Sequence, residues 1–220
     1  MQNLRTILIA ATVYLLGGCS STKIISSWKA PGELPVAPEK ILVLGLINDP
    51  DRSIREQMET HIMNDLRALG YDAVCSCEEY SPKEFEHLSE KEALDKLWNG
   101  GIRAVLTIVL LDKQKEYYYV PGRISNYPAS PAYKNFWSYY NNMYGRVYST
   151  GYYVTDTKYF WESNFYNLSE TSAALYSAQS QSFDPENTGK MSHEYGQLII
   201  KDMLKNNILA DKKKVILKPM

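Results

Sequence analysis

Histidine and cysteine are scarce in this sequence, three of each among 220 residues. None of His61, His87 and His193 has a neighbour at the spacing of a metal or triad motif. His61, three residues after Met58 on a helical stretch, is expected to be a surface or half-buried side chain. No nucleophile elbow surrounds any Ser, Cys or Asp. A phosphate loop is lacking too, because Gly189-Lys190-Met191-Ser192 has the end of one without the earlier glycine or the preceding strand. Basic surplus is absent: 24 Lys and Arg face 25 Asp and Glu, a net charge of -1, which argues against a nucleic-acid partner. Past residue 18 the longest apolar run, Ala104 to Leu111, has the length of a strand and falls short of the roughly 20 residues of a membrane span. Glu78-Glu79 and Glu84 to Glu86 read as a solvated acidic stretch. No cofactor, no metal and no catalytic residues are expected, and the chain reads as a non-enzyme.

What the sequence does have is tyrosine. Of its 18, thirteen fall between Tyr117 and Tyr166. It also has a leader. Met1 to Thr6 carries one arginine, Ile7 to Leu16 is apolar, and Gly17-Gly18 comes next, the anatomy of a secretory signal peptide. The junction Leu16-Gly17-Gly18-Cys19 resembles the bacterial lipobox. That resemblance implies diacylglycerol on the Cys19 thiol and cleavage after Gly18. Two or three acyl chains anchor stably where one is marginal. Ser20 to Lys23 lacks the aspartate that, in lipoproteins, favours inner-membrane retention. The expected location is the outer membrane, lipid-anchored and facing the periplasm.

Cys75 and Cys77 lie in one short apolar run, Asp72 to Cys77. On a strand, residues two apart share a face, and the extended backbone between them suits a disulfide poorly. They read as two small core residues, with a redox or metal pair as the alternative. No further ligands stand at zinc spacing.

Residues 19–39, punctuated by Pro31, Gly32, Pro35 and Pro38, read as a lipidated tether, though Ile24 to Trp28 can add an edge strand. Trp28 is expected to dock the tether on the domain. A single α/β domain is expected over residues 40–210, with a Tyr-rich insert at 120–145 and a tail at 211–220. Ile41 to Ile47 is a continuous apolar run, the mark of a strand buried on both faces. Asp49 and Pro50 suit the start of a helix that carries Ile54, Met58, Ile62, Leu66 and Leu69 and ends at Gly70. Ala73 to Cys77 is a second strand. Ser81 to Glu84 reads as a capping box for a second helix, broken at Ser89 and closed by Gly100-Gly101. Ala104 to Leu111 is a third strand that runs on, polar, to Tyr119. Arg146 to Tyr166 and Ala173 to Phe183 alternate as a hairpin, and Met191 to Asn207 is a closing amphipathic helix. The fold class is α/β with a mixed sheet: βαβαβ, an antiparallel hairpin and a C-terminal helix.

Ser27-Trp28-Lys29-Ala30-Pro31, the run from Ile41, Asp49-Pro50, Arg55, Glu56 and Leu66 to Gly70 resemble an uncharacterised Gram-negative outer-membrane lipoprotein family with a Ser-Trp-Lys-x-Pro opening. Leu175 to Asp184 resembles that family's closing strands. The strand order is similar to that of the curli-assembly and penicillin-binding-protein-activator lipoproteins and of the TolB amino-terminal domain. These resemblances imply an assembly or interaction role and assign no chemistry.

The long connection between Val120 and Gly145 carries the functional expectation. Loops of this length in compact domains are usually either functional or disordered. Tyr133, Trp137, Tyr139, Tyr140 and Tyr144 offer flat faces with polar handles, which suits an envelope protein or a glycan. The chain therefore reads as a non-catalytic binding or assembly module on the membrane. Two other readings stand beside it: a purely structural envelope lipoprotein, and a cell-envelope hydrolase.

Overall fold

The computed structural model describes residues 21–32, 35, 37–80, 83–120, 137, 140, 152–168 and 173–213. In chain order the elements are β1 (Thr22–Lys29), β2 (Lys40–Leu46), α1 (Ser53–Ala68), β3 (Asp72–Cys75), α2 (Ser76–Glu79), α3 (Glu90–Asn99), β4 (Ala104–Val120), β5 (Tyr152–Asn167), β6 (Ala174–Phe183) and α4 (Thr188–Lys205). The six strands form one mixed sheet in the order β1-β6-β5-β4-β2-β3. β2 runs parallel to β3, with Ile41 opposite Ala73, and parallel to β4, with Ile41 opposite Ala104. β1 pairs antiparallel with β6, its register shifting between Ile24 and Ser26. The α/β class and the mixed sheet are as the sequence predicts.

The chain divides into two compact units, Met1–Asp112 with Tyr159–Met220, and Lys113–Lys158. β4 and β5 each contribute residues to both.

In the first unit the apolar run of β2 is explained by its alternation. Ile41 and Val43 enter one core with Ile54, Met58, Ile62 and Leu66 of α1 and Met191, Tyr195, Ile199 and Met203 of α4. Leu42 enters a second core with Val74, Leu97, Ile102, Val105 and Leu168. A strand with helices on both faces has no side to leave polar. The four-residue spacing of the buried α4 positions puts them on one stripe, and that stripe packs on α1. β5 alternates likewise, with Tyr159, Trp161, Ser163 and Phe165 buried. The Trp161 indole N–H donates to Ser182 Oγ at 3.2 Å, and Ser163 hydrogen-bonds the Tyr195 hydroxyl. Burial pushes the Tyr195 hydroxyl well above its ordinary pKa, so it stays neutral in this core.

Boundaries differ from expectation where one turn signal outcompetes another. α1 begins at Ser53, not at Asp49. The Asp49 carboxylate accepts from Asp51 N–H and the Asp51 carboxylate from Ser53 N–H, so these acids build a turn instead of capping a helix. Gly70, at φ +90°, closes α1, a backbone form that glycine adopts without steric penalty. α3 starts after Ser89, whose hydroxyl and Glu92 complete a reciprocal capping box. The earlier motif, Ser81 to Glu84, has its first two residues outside the described ones, and residues 83–87 form turns. β3 stops at Cys75, two residues short of the expected end, because α2 begins there.

Residues 22–29 of the expected tether form β1, the edge strand. Trp28 remains 52 % exposed, so it does not dock into the core. The edge is fixed instead by polar contacts: Thr22 and Ser182 hydroxyls meet at 2.9 Å, and Ser21 donates from its backbone and its hydroxyl to Glu194.

The two-sided burial of β2 is tested by Val43→Asp. An unpaired charge there should lower unfolding stability by about 4 kcal/mol, measured by urea melts; a loss under about 1 kcal/mol would show that β2 is not interior.

Candidate functional site

Two places on the chain carry functional character. The first lies in the unit Lys113–Lys158. Of the five expected recognition residues, Trp137 and Tyr140 are described; Tyr133, Tyr139 and Tyr144 lie outside the described residues. Trp137 is 63 % and Tyr140 43 % exposed. Their rings stack, with centroids 5.6 Å apart and planes 14° from parallel. Tyr117, Tyr118, Tyr152 and Tyr153 of the same unit are exposed as well. Cross-strand polar contacts hold the strands that carry these last four rings. The Tyr118 hydroxyl donates to Asp156 at 2.6 Å, and Lys158 to Glu116 at 2.6 Å.

The second place was not legible as a site from spacing alone. Glu59 of α1 is fully buried. Its Oε1 accepts from Gly45 N–H at 2.8 Å and from Ser76 Oγ at 2.7 Å, and its Oε2 accepts from Cys77 N–H at 2.8 Å. Arg55 Nη1, buried and without a hydrogen bond of its own, lies 3.9 Å from Oε1. Gly45 is required here: a Cβ would sit 2.7 Å from Glu59 Oε1 and 2.8 Å from Arg55 Cγ. Burial pushes the Glu59 carboxyl above its ordinary range, while Ser76, the two backbone donors and Arg55 pull the other way.

Cys75 and Cys77 are joined in a disulfide, their Cα atoms 5.2 Å apart. This corrects the expectation of two separate core thiols. In a continuing strand two residues would rise about 6.7 Å. β3 ends at Cys75 and the chain turns into α2 at Ser76, which draws the second cysteine back within bonding range. Cys75 is buried and Cys77 exposed. Among the described residues, Glu59, Cys75 and Cys77 are the one trio of His, Cys, Asp or Glu with ligand atoms all within 4.8 Å. With the sulfurs joined, the trio offers a metal no thiolate. As a staple the bond is weak, since closing a three-residue loop contributes about 1.5 kcal/mol on the chain-entropy account, against about 4.7 for a hundred-residue loop.

The histidines fare differently from one another. His87 is exposed, whereas half-buried His61 meets exposed His193 edge-on, ring centroids 5.5 Å apart. They come from α1 and α4, so no sequence spacing could pair them. Asp65 lies with them. Burial raises its carboxyl, and His193 and His61 oppose the shift.

The raised acids give stability a pH dependence with a definite sign. A carboxyl whose folded pKa exceeds its unfolded value binds more protons when folded. Its contribution is then present below the unfolded pKa and lost as pH climbs toward the folded one. Glu59, from 4.5 upward, and Asp65, from 3.8 upward, both act this way. Glu59→Gln removes one share, so the stability of the native chain relative to the variant should fall as pH rises from about 4.5. Urea melts between pH 4 and 7 measure this, and a difference that stays constant would mean Glu59 holds its proton no more tightly folded than unfolded.

No protein-family model matches this chain, and no curated protein matches it. Solved structures do. The PelC dodecamer from Paraburkholderia phytofirmans and a point variant of it are each similar, with TM-score 0.43 and 13 % identity over 84 % of this chain and 98 % of that one. Lipoprotein GNA1162 from Neisseria meningitidis is similar with TM-score 0.40 and 13 % identity, over 76 % of this chain and 99 % of that one. At this distance neither passes a function to this chain.

Proposed function

We propose that the chain is an outer-membrane lipoprotein, held by acyl chains on Cys19, that binds an envelope partner through the aromatic surface of its Lys113–Lys158 unit. The observation that carries the binding reading is the exposed stack of Trp137 on Tyr140. Large apolar rings left in water lose the hydrophobic gain that burial would give them, and Trp and Tyr are the side chains most enriched where binding energy concentrates. Parallel rings present a flat apolar face with the indole N–H and phenol at its rim. That chemistry suits the C–H face of a sugar or an extended peptide. The membrane half of the reading rests on Leu16-Gly17-Gly18-Cys19 and the apolar leader before it. Among the described residues no helix is long and apolar enough to cross a membrane. Cys19 lies outside the described residues.

Growth of a Gram-negative host with radiolabelled palmitate should label the chain, and Cys19→Ala should abolish the label. A chain that takes up no label, or keeps it after the substitution, refutes the anchor.

The aromatic surface is tested separately. Crosslinking in intact cells, then titration of the captured partner or glycan, should show affinity reduced about thirtyfold or more in the double variant Trp137→Ala, Tyr140→Ala, equivalent to about 2 kcal/mol. Equal capture and equal affinity in both proteins would remove this surface from recognition.

A further inference from the structure

The Cys75–Cys77 bond and buried Glu59 form an arrangement that binding at the aromatic unit does not use. We infer that this is a thiol–disulfide exchange site, whose substrate is a dithiol and in which Glu59 exchanges a proton with Cys75. The inference goes beyond the binding reading and stands or falls without it.

Three features of the structure point to chemistry rather than stapling. The two sulfurs are unequal: Cys77 is exposed and Cys75 is buried, so an incoming thiolate meets the Cys77 sulfur and the buried sulfur is the leaving group. The loop closed is too short to constrain the unfolded chain much. A carboxyl group is placed among the sulfurs, with its ligand oxygen and both Sγ atoms within 4.8 Å of one another, at a distance that a small side-chain shift or one water spans.

A substrate thiolate attacks Cys77 Sγ, the Cys75–Cys77 bond breaks, and its electron pair leaves on Cys75 Sγ. A thiolate in that buried position is poorly solvated, and the Glu59 carboxylic acid protonates it. The substrate's second thiol, having lost its proton to water, attacks the substrate sulfur of the mixed disulfide. Cys77 leaves as a thiolate and takes a proton from water. The substrate dithiol has been oxidised by two electrons to a disulfide, and Cys75 and Cys77 have been reduced to thiols. Run backward, the same steps reduce a substrate disulfide.

The surroundings of Glu59 fit its two states. As an acid it is favoured by burial. As the carboxylate left after proton transfer, it faces Arg55 from its own helix, Gly45 N–H from β2, and Ser76 Oγ and Cys77 N–H from α2. Arg55 Nη1, with no hydrogen bond elsewhere, is a counter-charge for that second state.

The test uses the full chain purified in detergent micelles, with dithiothreitol as the dithiol. Reduction is read by iodoacetamide trapping and mass spectrometry of the tryptic peptide Ala68–Lys83, which holds Cys75 and Cys77 and no other cysteine. The native chain should be reduced in buffer without denaturant, gaining two alkyl groups on that peptide while its circular dichroism is unchanged. If reduction occurs only as urea unfolds the chain, the bond is structural and the inference fails. For Glu59→Gln, reduction at pH 5 should slow about tenfold or more. The ratio of native to variant rates should shrink as pH rises and Glu59 loses its proton; taking the ratio cancels the reagent's own ionisation. A ratio near one at every pH would overturn the role of Glu59. If Glu59→Gln fails to fold, the native measurement alone decides whether the site exchanges.

Discussion

A fully buried carboxyl group governs how α1 meets the sheet. Glu59 cannot sit in a dry position unless its oxygens are hydrogen-bonded, and its partners come from three separate pieces of chain: the end of β2, the first turn of α2, and Arg55 one helical turn away. Each partner restricts the piece that supplies it. Gly45 must remain without a side chain, Ser76 must leave β3 at that point, and α1 must present Glu59 at one rotation about its axis. The apolar stripe of α1 then meets Ile41 and Val43 in register. Hydrophobic burial supplies most of the driving force here, but it is non-directional; the hydrogen-bonded carboxyl group adds the direction.

Much of the fold could be read from the sequence because its strongest signals were periodic. The unbroken apolar run at Ile41 to Ile47 named a strand with helices on both faces. The four-residue repeats from Ile54 and from Met191 named the two helices that pack together. Alternation named β5 and β6. Element ends were less legible, since several residues could serve as a cap and only one set does. Asp49, Asp51 and Ser53 all bear capping side chains, and Ser81 to Glu84 spells the same motif as Ser89 to Glu92. Trp28 shows a different limit. A large aromatic suggests burial, but most of β1, at the end of the sheet, is exposed.

The candidate site was legible in part. The density of Tyr and Trp after residue 117 singled out this stretch; of the five residues named there, Trp137 and Tyr140 are described, and their rings are exposed and stacked. Glu59 falls outside the apolar repeat of Ile54, Met58, Ile62, Leu66 and Leu69, which is the signal that marks the buried side of α1. At about 100° per residue, Glu59 stands about 140° from Ile54, between Leu66 and Met63, and thus inside the buried arc. That arithmetic, with a glycine in an otherwise bulky strand, was the available signal. The Cys75–Cys77 bond could not be foreseen from a strand assignment, because it depends on where the strand stops. Nor could the meeting of His61 with His193, which arises only when α1 and α4 pack.

The position of β1 bears on how the protein sits in a cell. Ser21 is already tied to Glu194 and, through its carbonyl, to Phe183 N–H. If Cys19 carries the lipid, the leash between anchor and folded body is Ser20 alone, and two residue steps span at most about 7 Å. A leash of that length is no long arm. An anchor at that position would be held close to the end of the sheet where β1 begins and β6 ends.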